Sequence, residues 1–196
     1  MTAQMTDAEL MERNALVLAS HGNLAKVQEL VAQRPDLINQ PGVGDAFGGE
    51  TPLVAASHTH NRAIADVLLA HGAEHDVYTA TFIGDRDRVE AFLRGNPDLV
   101  RTPGIHSIPI LSFATDGDLA SLLIGRGAEV NALSRVPFQT SPLHTAARRG
   151  YADVVDVLLE NGADATVPNY EGKTPPELAT SPDVQAVFAR YGIATV

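Results

Sequence analysis

The chain has 196 residues, 44% of them hydrophobic, so it is long enough to bury a core and too apolar to be disordered. It carries 14 basic and 24 acidic side chains, for a net charge of −10, and has no cysteine and no tryptophan. Disulfides, thiolate chemistry and Cys-ligated zinc are therefore excluded, and so acidic a surface repels phosphate backbones and anionic lipid.

Residues 1–7 show neither a basic nor an apolar leader segment. Apolar runs such as Ala15-Leu16-Val17-Leu18-Ala19 fall far short of the roughly 20 residues that span a bilayer. A soluble cytoplasmic protein is expected. Its basic charge is almost all Arg, with Lys only at 26 and 173, a bias expected of a GC-rich, bacterial genome. The first predicted helices are about 7–20 and 24–33, with Thr6 and Glu9 as a capping box and Gly22 as a left-handed stop between them. The stretch from about 35 to 50 is long and Gly-rich and reads as a loop.

Thr51-Pro52-Leu53-Val54-Ala55-Ala56 then opens a helix. Thr before Pro is an N-cap followed by the residue best tolerated at the first helical position. Leu68-Leu69-Ala70-His71-Gly72-Ala73-Glu74 closes its partner, and Gly84-Asp85 marks the next break. Ile108-Pro109-Ile110-Leu111-Ser112-Phe113-Ala114 is a weaker opening, closed by Leu122-Leu123 and Gly127-Ala128-Glu129. The fullest copy runs from Ser141-Pro142-Leu143-His144-Thr145-Ala146-Ala147 through Gly150 to Leu158-Leu159-Glu160-Asn161-Gly162-Ala163-Asp164. Thr174-Pro175-Pro176-Glu177-Leu178-Ala179 opens a last copy, and Ser181-Pro182 caps a helix ending near 191–192. Pro109, Pro142 and Pro175 recur every 33 residues. Each copy is a helix pair whose apolar face only its neighbours can cover, so stacking is obligatory.

This pattern resembles the ankyrin repeat, whose unit of about 33 residues carries T-P-L-H-x-A-A and a closing Leu-Leu and Gly-Ala-Asp. The resemblance implies an all-α fold: an ankyrin-repeat solenoid of stacked antiparallel helix pairs with short hairpin fingers. It covers nearly the whole chain, read as a single domain, 1–196, with units at about 6–40, 45–76, 77–100, 101–131, 134–167 and 168–196. The third and fourth are irregular. In the third only His75-Asp76-Val77 separates the preceding Gly-Ala stop from the next helix, leaving no room for a finger. In the fourth Pro109 precedes Gly127 by 18 residues, where Pro142 precedes Gly162 by 20, so the first helix is shortened.

Fingers and first helices of such arrays line a concave groove where partners bind. Alignment on the landmarks places Phe47, Glu50, His106 and Phe138 on fingers, and His58, Phe82, Ile83, Arg148 and Arg149 on the groove side of first helices. An exposed phenylalanine forgoes roughly 1.5–3 kcal/mol of burial, so Phe82 is covered either from within the chain or by a ligand. The resemblance implies a binding module for a protein or peptide partner, with Phe82, Phe138 and Arg148 as anchors, because aromatic and Arg side chains dominate such interfaces. The alternative is a small-molecule or catalytic pocket around units two to four, with His58 and His106 in acid–base roles. No nucleic acid, membrane, cofactor or metal is expected. No signature of nucleotide binding or of a helical zinc site occurs, and His58 and His60, two apart, do not share a helix face. His144 is expected to bond to a finger backbone. His21, His60, His71 and His75 fall at helix ends and turns as solvated groups or carbonyl caps.

Overall fold

The computed structural model describes residues 7–44, 49–135 and 138–195. Among these the fold is all-α: ten α-helices and no strand, with short 3₁₀ turns between them. The chain divides into two compact units, Met1–Thr79 and Ala80–Val196. None of the described helices is long and apolar enough to cross a membrane.

In the first unit lie α1 (Asp7–Ser20), α2 (Leu24–Gln33), α3 (Pro52–His58) and α4 (Arg62–Ala70). The helices α1 and α2 match the expected spans, whereas Thr6, the proposed cap of α1, lies outside the described residues. Within each pair the two helices pack together, α1 on α2 and α3 on α4. Between pairs, first helix meets first helix and second meets second, α1 on α3 and α2 on α4. Leu16, Val17, Val27, Leu53, Ile64 and Leu68 are fully buried in this unit.

Helix α5 (Val77–Ile83) begins in the first unit and ends in the second. The second unit continues with α6 (Arg86–Gly95), α7 (Gly117–Gly125), α8 (Pro142–Arg149), α9 (Ala152–Glu160) and α10 (Pro182–Arg190). The helices α7, α9 and α10 pack in succession as second helices. Helix α8 packs on α9 and on two 3₁₀ turns, Ile110–Phe113 and Pro175–Leu178. Those turns stand where the fourth and sixth units would have first helices. The shortening expected in the fourth unit is thus carried to its limit, a single turn ending in extended backbone at Ala114. The sixth unit is likewise one turn: its second proline, Pro176, and the extended Ala179 stop it, although Thr174 and Glu177 form the capping box that would start a helix.

Caps set the helix starts. Asn23, Thr51, Asn61, Asp85, Asp116 and Ser141 each accept a hydrogen bond from the backbone N–H three residues on, which satisfies a donor that the helix itself leaves unpaired. The turn inside a pair has a recurrent form. The N–H of Asn61, Asp85 and Tyr151 reaches back five residues to Ala56, Ala80 and Ala146 at 2.8–3.1 Å. The residue just before each is left-handed: His60 at φ 56°, Gly84 at 78° and Gly150 at 80°. Gly22 departs from the expectation. There the N–H of Asn23 reaches back four residues, to Ala19 at 2.7 Å, and Gly22 is not at positive φ.

Two asparagines stitch one unit's end to the next. The Asn39 amide donates to Gly72 O at 3.1 Å and its carbonyl accepts from the Glu74 N–H at 2.8 Å. Asn131 repeats this with Gly162 O at 3.0 Å and the Asp164 N–H at 2.8 Å.

Candidate functional site

The stacking of α1 on α3 brings three polar side chains of the first unit together. His21 follows the last turn of α1, Glu50 precedes the Thr51 cap of α3, and His58 is the last residue of α3. His21 Nδ1 lies 3.0 Å from Val17 O, so in the neutral ring Nδ1 carries the proton and Nε2 presents a lone pair. That Nε2 is 3.3 Å from His58 Nε2 and 3.4 Å from Glu50 Oε2. His58 Nε2 in turn is 2.6 Å from Glu50 Oε1. The rings meet edge to face at 5.1 Å and 75°. The Glu50 side chain is 2% exposed, His58 13% and His21 31%, so the cluster is closed on the carboxylate side and reaches water through His21.

Burial is the largest single influence on Glu50 and would raise its pKa, but the hydrogen bonds and charges of His21 and His58 outweigh it and bring it down to about 2. The Glu50 hydrogen bond raises His21 above the usual imidazole range, against the opposing pull of burial. Glu50 is therefore an ionised carboxylate out of water. Its Oε1 stands 2.6 Å from His58 Nε2.

The expected site residues scatter. Phe47 lies outside the described residues. Glu50 is no exposed finger residue: its side chain turns inward to the two imidazoles. His58 is there beside it, joined by His21, which sequence reading left as a carbonyl cap. It does cap Val17, but with the other ring nitrogen. A signal was available: His21 and His58 end successive first helices, and stacked helices bring their ends to one level. Phe82 is 2% exposed and is core, so it is no surface anchor, whereas Ile83 is half-buried. His106 is exposed in the second unit at φ 54°, followed by Ser107 at 55°. A cavity of about 250 Å³ in this unit is lined by Arg101, Thr102, Pro109, Leu111, Glu129 and Leu133, with neither Phe82 nor Ile83 on its wall.

Phe138, Arg148 and Arg149 are exposed. Phe138 is 45% exposed and meets the half-exposed Tyr170 edge to face at 5.9 Å. Their backbones are tied too, Tyr170 N–H donating to Phe138 O at 3.3 Å. Arg148 faces Glu171 at 3.8 Å beside them. His144, fully buried, makes the bond expected of it: Nδ1 accepts from the Ser141 N–H at 3.1 Å, leaving Nε2–H to donate to Lys173 O at 3.2 Å.

Comparison with known proteins agrees with this architecture. Residues 123–179 match the family model "Ankyrin repeats (many copies)". Ankyrin repeat and SOCS box protein 11 of Danio rerio is 28% identical over 146 residues, 74% of this chain and 41% of that protein. Neurogenic locus notch homolog protein 1 of Xenopus tropicalis is 41% identical over 71 residues, 36% of this chain and 3% of its own length. The chain thus spans well under half of either relative. Among solved structures, the ankyrin repeat domain of human ASB11 is 25% identical, with a TM-score of 0.49, covering 89% of this chain and 96% of that one. The matched repeat carries Leu123, Ala128, the Ser141-Pro142-Leu143-His144 opening and the Gly162-Ala163-Asp164 close, the same residues that cap, turn and stack the helices of the second unit. Residues 123–179 thus belong to the ankyrin repeat family.

Proposed function

We propose that the chain is a non-enzymatic binding module that recognises a protein or peptide partner through the groove side of its fingers and first helices. Ankyrin repeats are in general protein-interaction modules. The observation that carries the reading is the Phe138–Tyr170 pair, two large aromatic side chains left 45% and 50% exposed on neighbouring loops with Arg148 beside them. Rings held in contact lose little further freedom when a partner covers them, and aromatic and Arg side chains are the usual centres of binding energy. Arg148, with Arg149 next in the chain, supplies the charge for a carboxylate on that partner.

Peptides selected from a displayed random library against the wild-type chain test this. The double variant Phe138→Ala/Tyr170→Ala is expected to weaken the selected peptides at least about tenfold, with Arg148→Ala weakening the acidic ones among them. Selected peptides that bind the double variant as tightly as wild type would move the interface elsewhere. Phe138 and Tyr170 are 45% and 50% exposed and lie outside the helices, so the variants are expected to keep the helical core.

A further inference from the structure

We propose that His21, Glu50 and His58 form a binding site for a divalent first-row transition-metal ion, Zn²⁺ in the simplest case, with two Nε2 atoms and one carboxylate as ligands and a further position open to water. The site uses none of Phe138, Tyr170 and Arg148, the residues proposed above as partner anchors.

Donor geometry is the first ground. Zinc bonds of about 2.0–2.2 Å in a tetrahedral site put neighbouring ligand atoms about 3.3–3.6 Å apart. His21 Nε2 lies 3.3 Å from His58 Nε2 and 3.4 Å from Glu50 Oε2. The other carboxylate oxygen approaches His58 Nε2 at 2.6 Å, closer than two ligands of one ion stand, and a small rotation of the carboxylate brings that edge to length. The three donors lie within 4.8 Å of one another.

Proton placement is the second. Val17 O holds the Nδ1 proton of His21 at 3.0 Å, and a carbonyl on the far ring nitrogen is the outer-shell contact that aims the near one at a metal. The two Nε2 atoms face each other at 3.3 Å, both turned to the same carboxylate. The third ground is the buried charge. A carboxylate with a 2% exposed side chain carries a desolvation cost that a bound cation offsets. Imidazole with carboxylate selects Zn²⁺, Ni²⁺ or Cu²⁺ over Ca²⁺ and Mg²⁺, which take oxygen donors. The partly exposed His21 gives the ion an entry path.

The test is calorimetric titration of the chelator-treated, full-length chain with ZnCl₂, read beside imidazole NMR. Expected are saturation at one equivalent, shifts of the His21 and His58 ring resonances with His71 and His75 unmoved, and no heat from Ca²⁺ or Mg²⁺. Co²⁺ should give the intense visible absorption of a four-coordinate ion and lose it on addition of Zn²⁺. Glu50→Gln and His58→Gln should each weaken Zn²⁺ at least about tenfold, while His71→Gln leaves it unchanged. Circular dichroism checks the variants' folding, and the wild-type ring shifts stand without them. Absence of saturable binding by wild type overturns the proposal. So does binding that moves the exposed histidines equally or survives Glu50→Gln, which would show a surface-histidine contact only.

Discussion

His144 has no contact with water, and both its ring nitrogens are used, one by Ser141 and the other by the carbonyl of Lys173. Burial, the largest influence, lowers its pKa from the ordinary value near 6.5, and the nearby Arg148 charge adds to this against the backbone hydrogen bonds. A lowered pKa means that the folded state prefers the neutral ring. The unfolded chain takes up a proton below about pH 6.5 that the folded chain refuses. The stabilisation is therefore complete above that pH and is lost as the pH falls towards the folded value. Imidazole NMR should show His144 titrating below the ordinary range. Unfolding free energies of wild type and His144→Gln should differ most above about pH 7 and converge as the pH drops. A resonance titrating above the ordinary range would refute the dominance of burial and the assignment of Nδ1 as acceptor of the Ser141 N–H.

At the scale of the helix pair, the repeat signature works through backbone chemistry, which is why so much of it was readable. The N-caps, the Pro at N1 and the Gly at positive φ are local requirements written in single residues. Thr51-Pro52, Ser141-Pro142 and Gly150 announce them whatever the rest of the chain does. Gly150 sits at φ 80°, and a Cβ there would meet only Ser181 Cβ at 3.6 Å, an ordinary contact. Gly150→Ala should thus cost roughly 1–2 kcal/mol from the left-handed backbone alone, measured by urea denaturation; a neutral result would mean that the turn relaxes out of that conformation. His60 fills the same position at φ 56°, which no sequence rule foretold, and Gly22 was misread because only the reach of the next N–H decides whether a positive φ is needed. The cluster escaped for a different reason. Whether Glu50 lies on a finger or turns inward depends on how α1 and α3 meet, a tertiary fact with no local code. Phe82 was placed by register on a groove floor, but register fixes the direction of a side chain and not what covers it.

Charge is a property of the whole molecule, and it is uneven. Residues 1–79 carry 4 basic and 10 acidic side chains, and residues 80–196 carry 10 and 14. Both units are net negative, but most of the arginines lie in the second. A nucleic-acid surface would therefore have to come from Arg135, Arg148 and Arg149 there. Arg148 already faces Glu171 at 3.8 Å. Arg86, Arg88 and Arg94 pair with acids on their own helix or at its cap. Non-specific DNA affinity grows with the number of phosphates neutralised and falls steeply with salt, so a patch of partly paired arginines on a chain of net charge −10 should give none at physiological salt. A gel shift at micromolar protein, with and without added salt, checks this. A shift that salt abolishes and that Arg148→Ala/Arg149→Ala removes would show the arginines acting together, and the acidic partner of the exposed aromatic pair would then be a phosphate backbone and not a protein carboxylate.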